Sequence, residues 1–188
     1  MKDQKEFLQQ YASEVRNIIR EMESWSHQEE NTLQRYPAPG KWSAIQCVQH
    51  LNVYSRYYLN AIEKAMKTAP SVAGHDVKFG PVGRYFVKLM KTNDKGLVNK
   101  PMKSPKNAVP ELLPNVKSEI SEFIQHQQKL LILLQHAENL DINQIRIPTS
   151  IMKMIRMKLG DTFAFFIEHE KRHMIQGRKA LEAGESGL

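Results

Sequence analysis

The fold is decided by the stretch Asp161-Thr-Phe-Ala-Phe-Phe-Ile-Glu-His-Glu-Lys-Arg-His-Met-Ile-Gln176. As a helix it stacks His169 and His173, four residues apart, on one face together with Phe166 and Gln176. Two imidazoles then fall in line with the apolar stripe. An imidazole out of water must find partners, and a shared metal ion is one such partner that an i, i+4 histidine pair can hold.

Working outward, the same logic of spacing organises the rest of the chain. Residues 3–30 read as an amphipathic helix, with Phe7, Tyr11, Val15, Ile18, Met22 and Trp25 recurring at three and four. Pro37-Ala38-Pro39-Gly40 breaks it. Ser43 and Gln46 then form a Ser-x-x-Gln capping box for a helix running to about Lys67, with Trp42 placed to staple on Cys47. Cys47, His50, Tyr54 and Tyr57 make a second line beside the stripe of that helix, so His50 lies on its core flank.

From 69 to 114 glycines and prolines interrupt the pattern, and only 82–92 reads as a short helix. A connection of this length inside a domain is functional or mobile, and bundles whose helices do not alternate simply up and down require one. Residues 115–138 form a third long helix, on Val116, Ile120, Phe123, Gln127, Leu130 and Leu134. A helical turn is expected at 151–157. Gly160 stops that turn and Asp161 caps the final helix to about Glu182, with 183–188 fraying. No strand or hairpin signal stands out. The expected architecture is all-α, one domain over 1–188, a four-helix bundle with a long connection between its second and third helices.

Composition sets the broad class. The 188 residues carry 41% apolar and 25% charged side chains, ordinary for a globular protein, and a net charge of +7. Between Asp76 and Lys117 nine basic residues face three acids, so most of the excess lies in the connection. A solvated surface segment is the expectation there; an anion or nucleic-acid binder working through it is a third functional reading, and nucleic-acid partners are not expected. No apolar run of membrane-spanning length occurs, and no signal peptide is expected. The single cysteine, Cys47, fits a reducing cytoplasm.

His169-Glu170-Lys171-Arg172-His173 matches the zinc-protease signature His-Glu-x-x-His. No histidine follows it, Gly177 sits one place late for the longer signature, and strand signal is lacking, so a protease is not expected. Glu170 lies about 100° round the helix from His169, which suits an outer or surface role better than that of a general base. A third ligand can come instead from His50. Three neutral imidazoles leave a position open for water or substrate, as in catalytic zinc sites. Spacing alone leaves a second reading equally open, in which the three are hydrogen-bonded core residues, or hold a structural metal, in a non-catalytic binding or interaction module. Cys47 is read as a small core residue. His27, His75, His126 and His136 are read as surface residues.

The stretch Lys41-Trp42-Ser43-Ala44-Ile45-Gln46-Cys47-Val48-Gln49-His50-Leu51, together with His169 to Gln176, resembles the DinB/YfiT superfamily. Its members carry a Trp and a cap before a helix with one His. A final helix follows with His-x-x-x-His, often with Arg before the last His and Gln three after. The resemblance implies a four-helix bundle, a divalent metal (zinc or nickel foremost) held by His50, His169 and His173, and commonly a homodimer. It implies a small-molecule substrate and one of two chemistries: S-transfer from a low-molecular-weight thiol such as bacillithiol or mycothiol, placed ahead, or metal-dependent hydrolysis. Tyr54 and Tyr57 are candidates to hydrogen-bond a substrate. Lys88 and Lys91 are candidates to hold an anionic thiol at the mouth.

Overall fold

A computed structural model describes residues 2–92, 103–152 and 154–185. Its elements follow the order β1 (Lys2–Asp3), α1 (Gln4–Ser26), α2 (Glu30–Gln34), α3 (Ala44–Lys67), β2 (Asp76–Val77), α4 (Pro81–Met90), a 3-10 turn (Lys106–Ala108), α5 (Val116–Ala137), β3 (Arg146–Pro148), β4 (Arg156–Lys158) and α6 (Leu159–Glu185). The fold is all-α, as expected, with two small antiparallel ladders, β1 with β2 and β3 with β4.

Four long helices make the bundle. Both α1 and α3 pack on both α5 and α6, so the two helices consecutive in the chain sit at opposite corners. Direction can be read from side-chain pairs. Gln49 with Glu119, Arg56 with Glu122 and Glu63 with Lys129 advance together, so α3 and α5 run parallel. Glu14 with Lys171 and Glu21 with Arg178 make α1 and α6 parallel as well. Tyr54 beside His169 and Tyr58 beside Phe165 make α3 and α6 antiparallel. Parallel neighbours cannot be joined by a tight turn, and this is why the α3–α5 connection must be long.

That connection is more structured than its glycine and proline content suggested. The short helix expected at 82–92 is α4, which packs on α6, and the unexpected β2 pairs with the N-terminal β1. Among its basic residues, Lys95 and Lys100 lie outside the described residues. Helix α1 ends at Ser26 rather than near 30, with the chain restarting in α2. The helical turn expected at 151–157 is absent among the described residues; an irregular return leads into β4 there, because Thr149 and Ile155 backbones pair across it.

The final helix also begins earlier than its cap predicted. Leu159 opens α6, and the buried Asp161 carboxylate turns toward the start of α4 to accept from the Gly80 amide at 3.1 and 3.3 Å. Gly83 must be glycine for the same reason, since a Cβ there would run into Asp161. At its other end α6 continues through Glu185, past the expected fraying point.

The core falls into two apolar clusters, and the division is chemical. On α3 one cluster ends at Leu51 and the other begins at Tyr54; on α5 they end and begin at Phe123 and Leu130; on α6 at Ile167 and Met174. Between them lie buried Asn52, Gln127, His169, Glu170 and His173. A polar layer therefore crosses the bundle, and the histidines are part of it.

Candidate metal centre

The α3 start is built as the sequence predicts. The Ser43 hydroxyl accepts from the Gln46 amide, and the Gln46 side chain accepts from the Ser43 amide. This capping box fixes where α3 begins and hence which way His50 points, two turns on. Trp42, just before the cap, stacks its ring 5.9 Å from that of His173 and 4.9 Å from that of His50. Its visible role is to wall the histidines.

The structure brings His50, His169 and His173 together, each buried, with one ligand-capable atom from each lying within 4.8 Å of the others. Among the described residues no other group of three such side chains gathers. Nδ1 of His50 lies 2.7 Å from the Ala108 carbonyl oxygen, with Ser104 Oγ 3.4 Å away. A carbonyl only accepts, so Nδ1 carries the proton and Nε2 presents its lone pair. That Nε2 faces His169 Nε2 at 3.4 Å. Two nitrogens bound at about 2.0–2.1 Å to one tetrahedral ion stand about 3.3 Å apart, so this pair stands near the spacing of a shared ion and the three-histidine set is compatible with a divalent metal. The Nδ1 atoms of His169 and His173 have no hydrogen-bond partner.

Electrostatics favour lone pairs over protons. Burial lowers the pKa of His50, with Arg172 adding to it and the Ala108 bond opposing. Burial holds His169 well below the ordinary range, helped by repulsion from His173, His50 and Arg172. His173 is held well below it by the same burial, by His50 and by Arg172, against a hydrogen bond to Gln176. All three imidazoles are therefore neutral at neutral pH, the form that binds a metal.

The rings line a cavity of about 940 Å³. Phe86, Leu89 and Met90 of α4 form one apolar wall; Tyr54 and Phe165 stand beside His169. The cations on its described lining are Lys41, Lys103, Arg172 and Lys179. Lys88 and Lys91, expected at the mouth, are not among the lining residues, because α4 turns its apolar face inward and its lysines to solvent.

Other expectations resolve as follows. Cys47 is buried outside the cluster, and burial pushes its thiol up to about 12, so it is a core residue. Glu170 is fully buried rather than exposed, accepting from Gln127 Nε2 at 2.6 Å on the side facing α5. Tyr57 donates to the Thr149 carbonyl, whereas Tyr54 lines the cavity. His27, His75 and His136 are exposed; His126 is half-buried, its Nδ1 3.0 Å from Asn52 Oδ1. Sequence reading missed the Ala108 carbonyl and the lining cations Lys41, Lys103 and Lys179. Nothing in an alanine's identity marks its carbonyl as a histidine's partner.

Among the described residues no helix is long and apolar enough to cross a membrane. No curated protein and no solved structure matches the chain. The family model described as the DinB superfamily matches residues 9–176, a span that takes in all three histidines. The chain belongs to the DinB superfamily.

Proposed function

We propose that the chain is a metal-dependent enzyme in which His50, His169 and His173 hold a divalent ion, zinc or nickel, and that it transfers a low-molecular-weight thiol to a small electrophile. The observation that carries this reading is the convergence of three neutral, buried imidazoles on a cavity large enough for a substrate. An ion held there supplies Lewis acidity, which deprotonates a thiol or brings the pKa of a water to about 7.

The chain's own residues prepare the reaction. The Ala108 carbonyl orients His50, and Trp42, Tyr54 and Phe165 pack around the imidazoles and keep bulk water off them. Burial raises the Tyr54 pKa, so its hydroxyl stays protonated and can donate to a substrate. In the transfer the thiol sulfur attacks the electrophilic carbon as its proton leaves to solvent; the C–S bond forms and the leaving group departs with its electron pair.

Thiol transfer ranks ahead of hydrolysis for a structural reason. The described cavity lining contains no Asp or Glu, and Glu170 is committed to Gln127. Hydrolysis by a metal site commonly relies on such a carboxylate as general base, while a thiol transfer does not require one. A homodimer belongs to the same proposal, supported by the exposed apolar Val109, Leu112 and Leu113, and light scattering tests it.

The test is conjugation of a panel of small thiols to a chromogenic aryl halide by zinc- or nickel-loaded protein, beside His169→Ala. The proposal expects thiol-dependent product from the wild type and none above background from the variant. Ester or amide hydrolysis without thiol dependence would transfer the assignment to a hydrolase. Absence of both activities would leave the histidines to a non-catalytic binding module.

A further inference from the structure

Arg172 lies on α6 between the two histidines of that helix, half-buried, and lines the cavity. One of its N–H groups donates to the Leu89 carbonyl at 3.2 Å, near the C-terminal end of α4. That bond sets the direction of a rigid, planar fork whose geometry matches carboxylate, phosphate or sulfonate oxygens. Three lysines, Lys41, Lys103 and Lys179, share the described lining, which includes no acidic side chain. An ion held by three neutral imidazoles keeps its full charge, unlike one held by carboxylates or thiolates. The described lining thus carries cations and no acid, and Phe86, Leu89 and Phe165 give it an apolar part.

We infer that the cavity takes a small amphipathic organic anion, with Arg172 holding its anionic group and α4 covering its apolar body. Charge in a partly desolvated cavity is screened less than at an open surface, so a cation placed there favours an anion strongly. The Arg172 assignment deepens the enzymatic reading and draws on it only for the charge of the ion; the guanidinium and lysines stand without it.

Two probes with the same rings separate charge from shape. These are 8-anilinonaphthalene-1-sulfonate and its uncharged counterpart N-phenyl-1-naphthylamine, titrated by fluorescence with and without zinc, and in chelator. The expected result is anion binding about tenfold tighter than the neutral probe, a difference of about 1.4 kcal/mol. Arg172→Gln should erase that preference while leaving the neutral probe unchanged; Arg172→Lys, which keeps the charge, should retain most of it. Arg16→Gln, on the exposed face of α1, should change nothing.

Equal affinity for the two probes in the wild type overturns the inference, as does Arg172→Gln with an intact preference, or Arg16→Gln with an equal loss. A preference that appears only with zinc and ignores Arg172 also overturns it. A preference that persists in chelator, in protein that binds no metal, upholds Arg172 while removing the metal reading. If Arg172→Gln does not fold, salt decides on the wild type: raising NaCl from about 0.05 to about 0.5 M must weaken the anion and spare the neutral probe, and salt-independent binding contradicts the inference.

Discussion

Gln127 Nε2 donates to Glu170 Oε1 across 2.6 Å inside the bundle, while Gln127 Oε1 and Glu170 Oε2 have no partner. One proton satisfies both: on Oε2 it can donate to the Gln127 carbonyl and close a reciprocal acid–amide pair. Burial pushes the Glu170 carboxyl up to about 8, against the lowering effect of the Gln127 bond, so the proton is present at neutral pH.

The sign of the pH dependence follows. The folded pKa lies above the unfolded value of about 4.3, so the stability this proton contributes is complete below that value. It is lost as pH rises through about 8. In chelator, Glu170 alone should contribute a fall of about 1.4 kcal/mol per pH unit between these limits. The buried His50, His169 and His173, held below the ordinary imidazole range, contribute the opposite slope below about pH 6.5. Glu170→Gln, which cannot titrate, should therefore shift the wild-type slope upward by about 1.4 kcal/mol per pH unit in urea unfolding at pH 5, 6 and 7. An unchanged slope would place the titration elsewhere.

Asn52 holds α3 to α5 through Glu119. Its Nδ2 donates to the Glu119 backbone oxygen at 2.9 Å and to Oε2 at 2.8 Å, and both residues are buried. Asn52→Ala should cost about 1–3 kcal/mol by stranding those acceptors, measured by urea unfolding. Metal content should be unaffected. A loss under about 0.5 kcal/mol, the size of an ordinary surface change, would show the seam to be dispensable.

Gly83→Ala tests how α4 is seated. The new methyl group meets the Asp161 carboxylate, which grips the Gly80 amide. Displacement should cost about 1–3 kcal/mol and speed hydrogen exchange at the amides of α4 more than at those of α5. Uniform exchange changes would mean that α4 is not a separately seated wall.

Tyr54→Phe keeps the ring that packs on His50 and His169 and removes only the hydroxyl. We expect thiol conjugation to fall about tenfold, the effect of one hydrogen bond of about 1.4 kcal/mol, with metal content unchanged. Unchanged kcat and KM would make Tyr54 a packing residue alone.

Much of this was legible in the sequence where local rules operate. The capping box at Ser43 and Gln46, the helical spacing of Val116 to Leu134 and the edge-to-face contact of His169 with His173 depend on neighbours three or four residues away. Where the outcome depended on distant partners, local signals misled. Asp161 had the residue type and place of an N-cap, but Gly80, far back in the chain, claimed its carboxylate. Glu170 was placed at an outer position by helical angle alone. The bundle adds a second neighbour, α5, on that flank, so the residue is buried. His126 was read as exposed and is held by Asn52 across the same parallel seam. In the connection 69–114 the short helix expected at 82–92 is α4, but nothing local told that Gly83 seats it against Asp161 or that Asp76 and Val77 pair with the N-terminus.

The central claim is that three histidines hold one metal ion, and elemental analysis of tag-free protein by plasma mass spectrometry tests it most directly. The wild type, His173→Ala and His126→Ala should be compared as purified and after adding zinc or nickel and dialysing. The account predicts near-stoichiometric metal in the wild type and in His126→Ala, and a large loss in His173→Ala. No bound metal in the wild type after loading, or equal metal in His173→Ala, would contradict it.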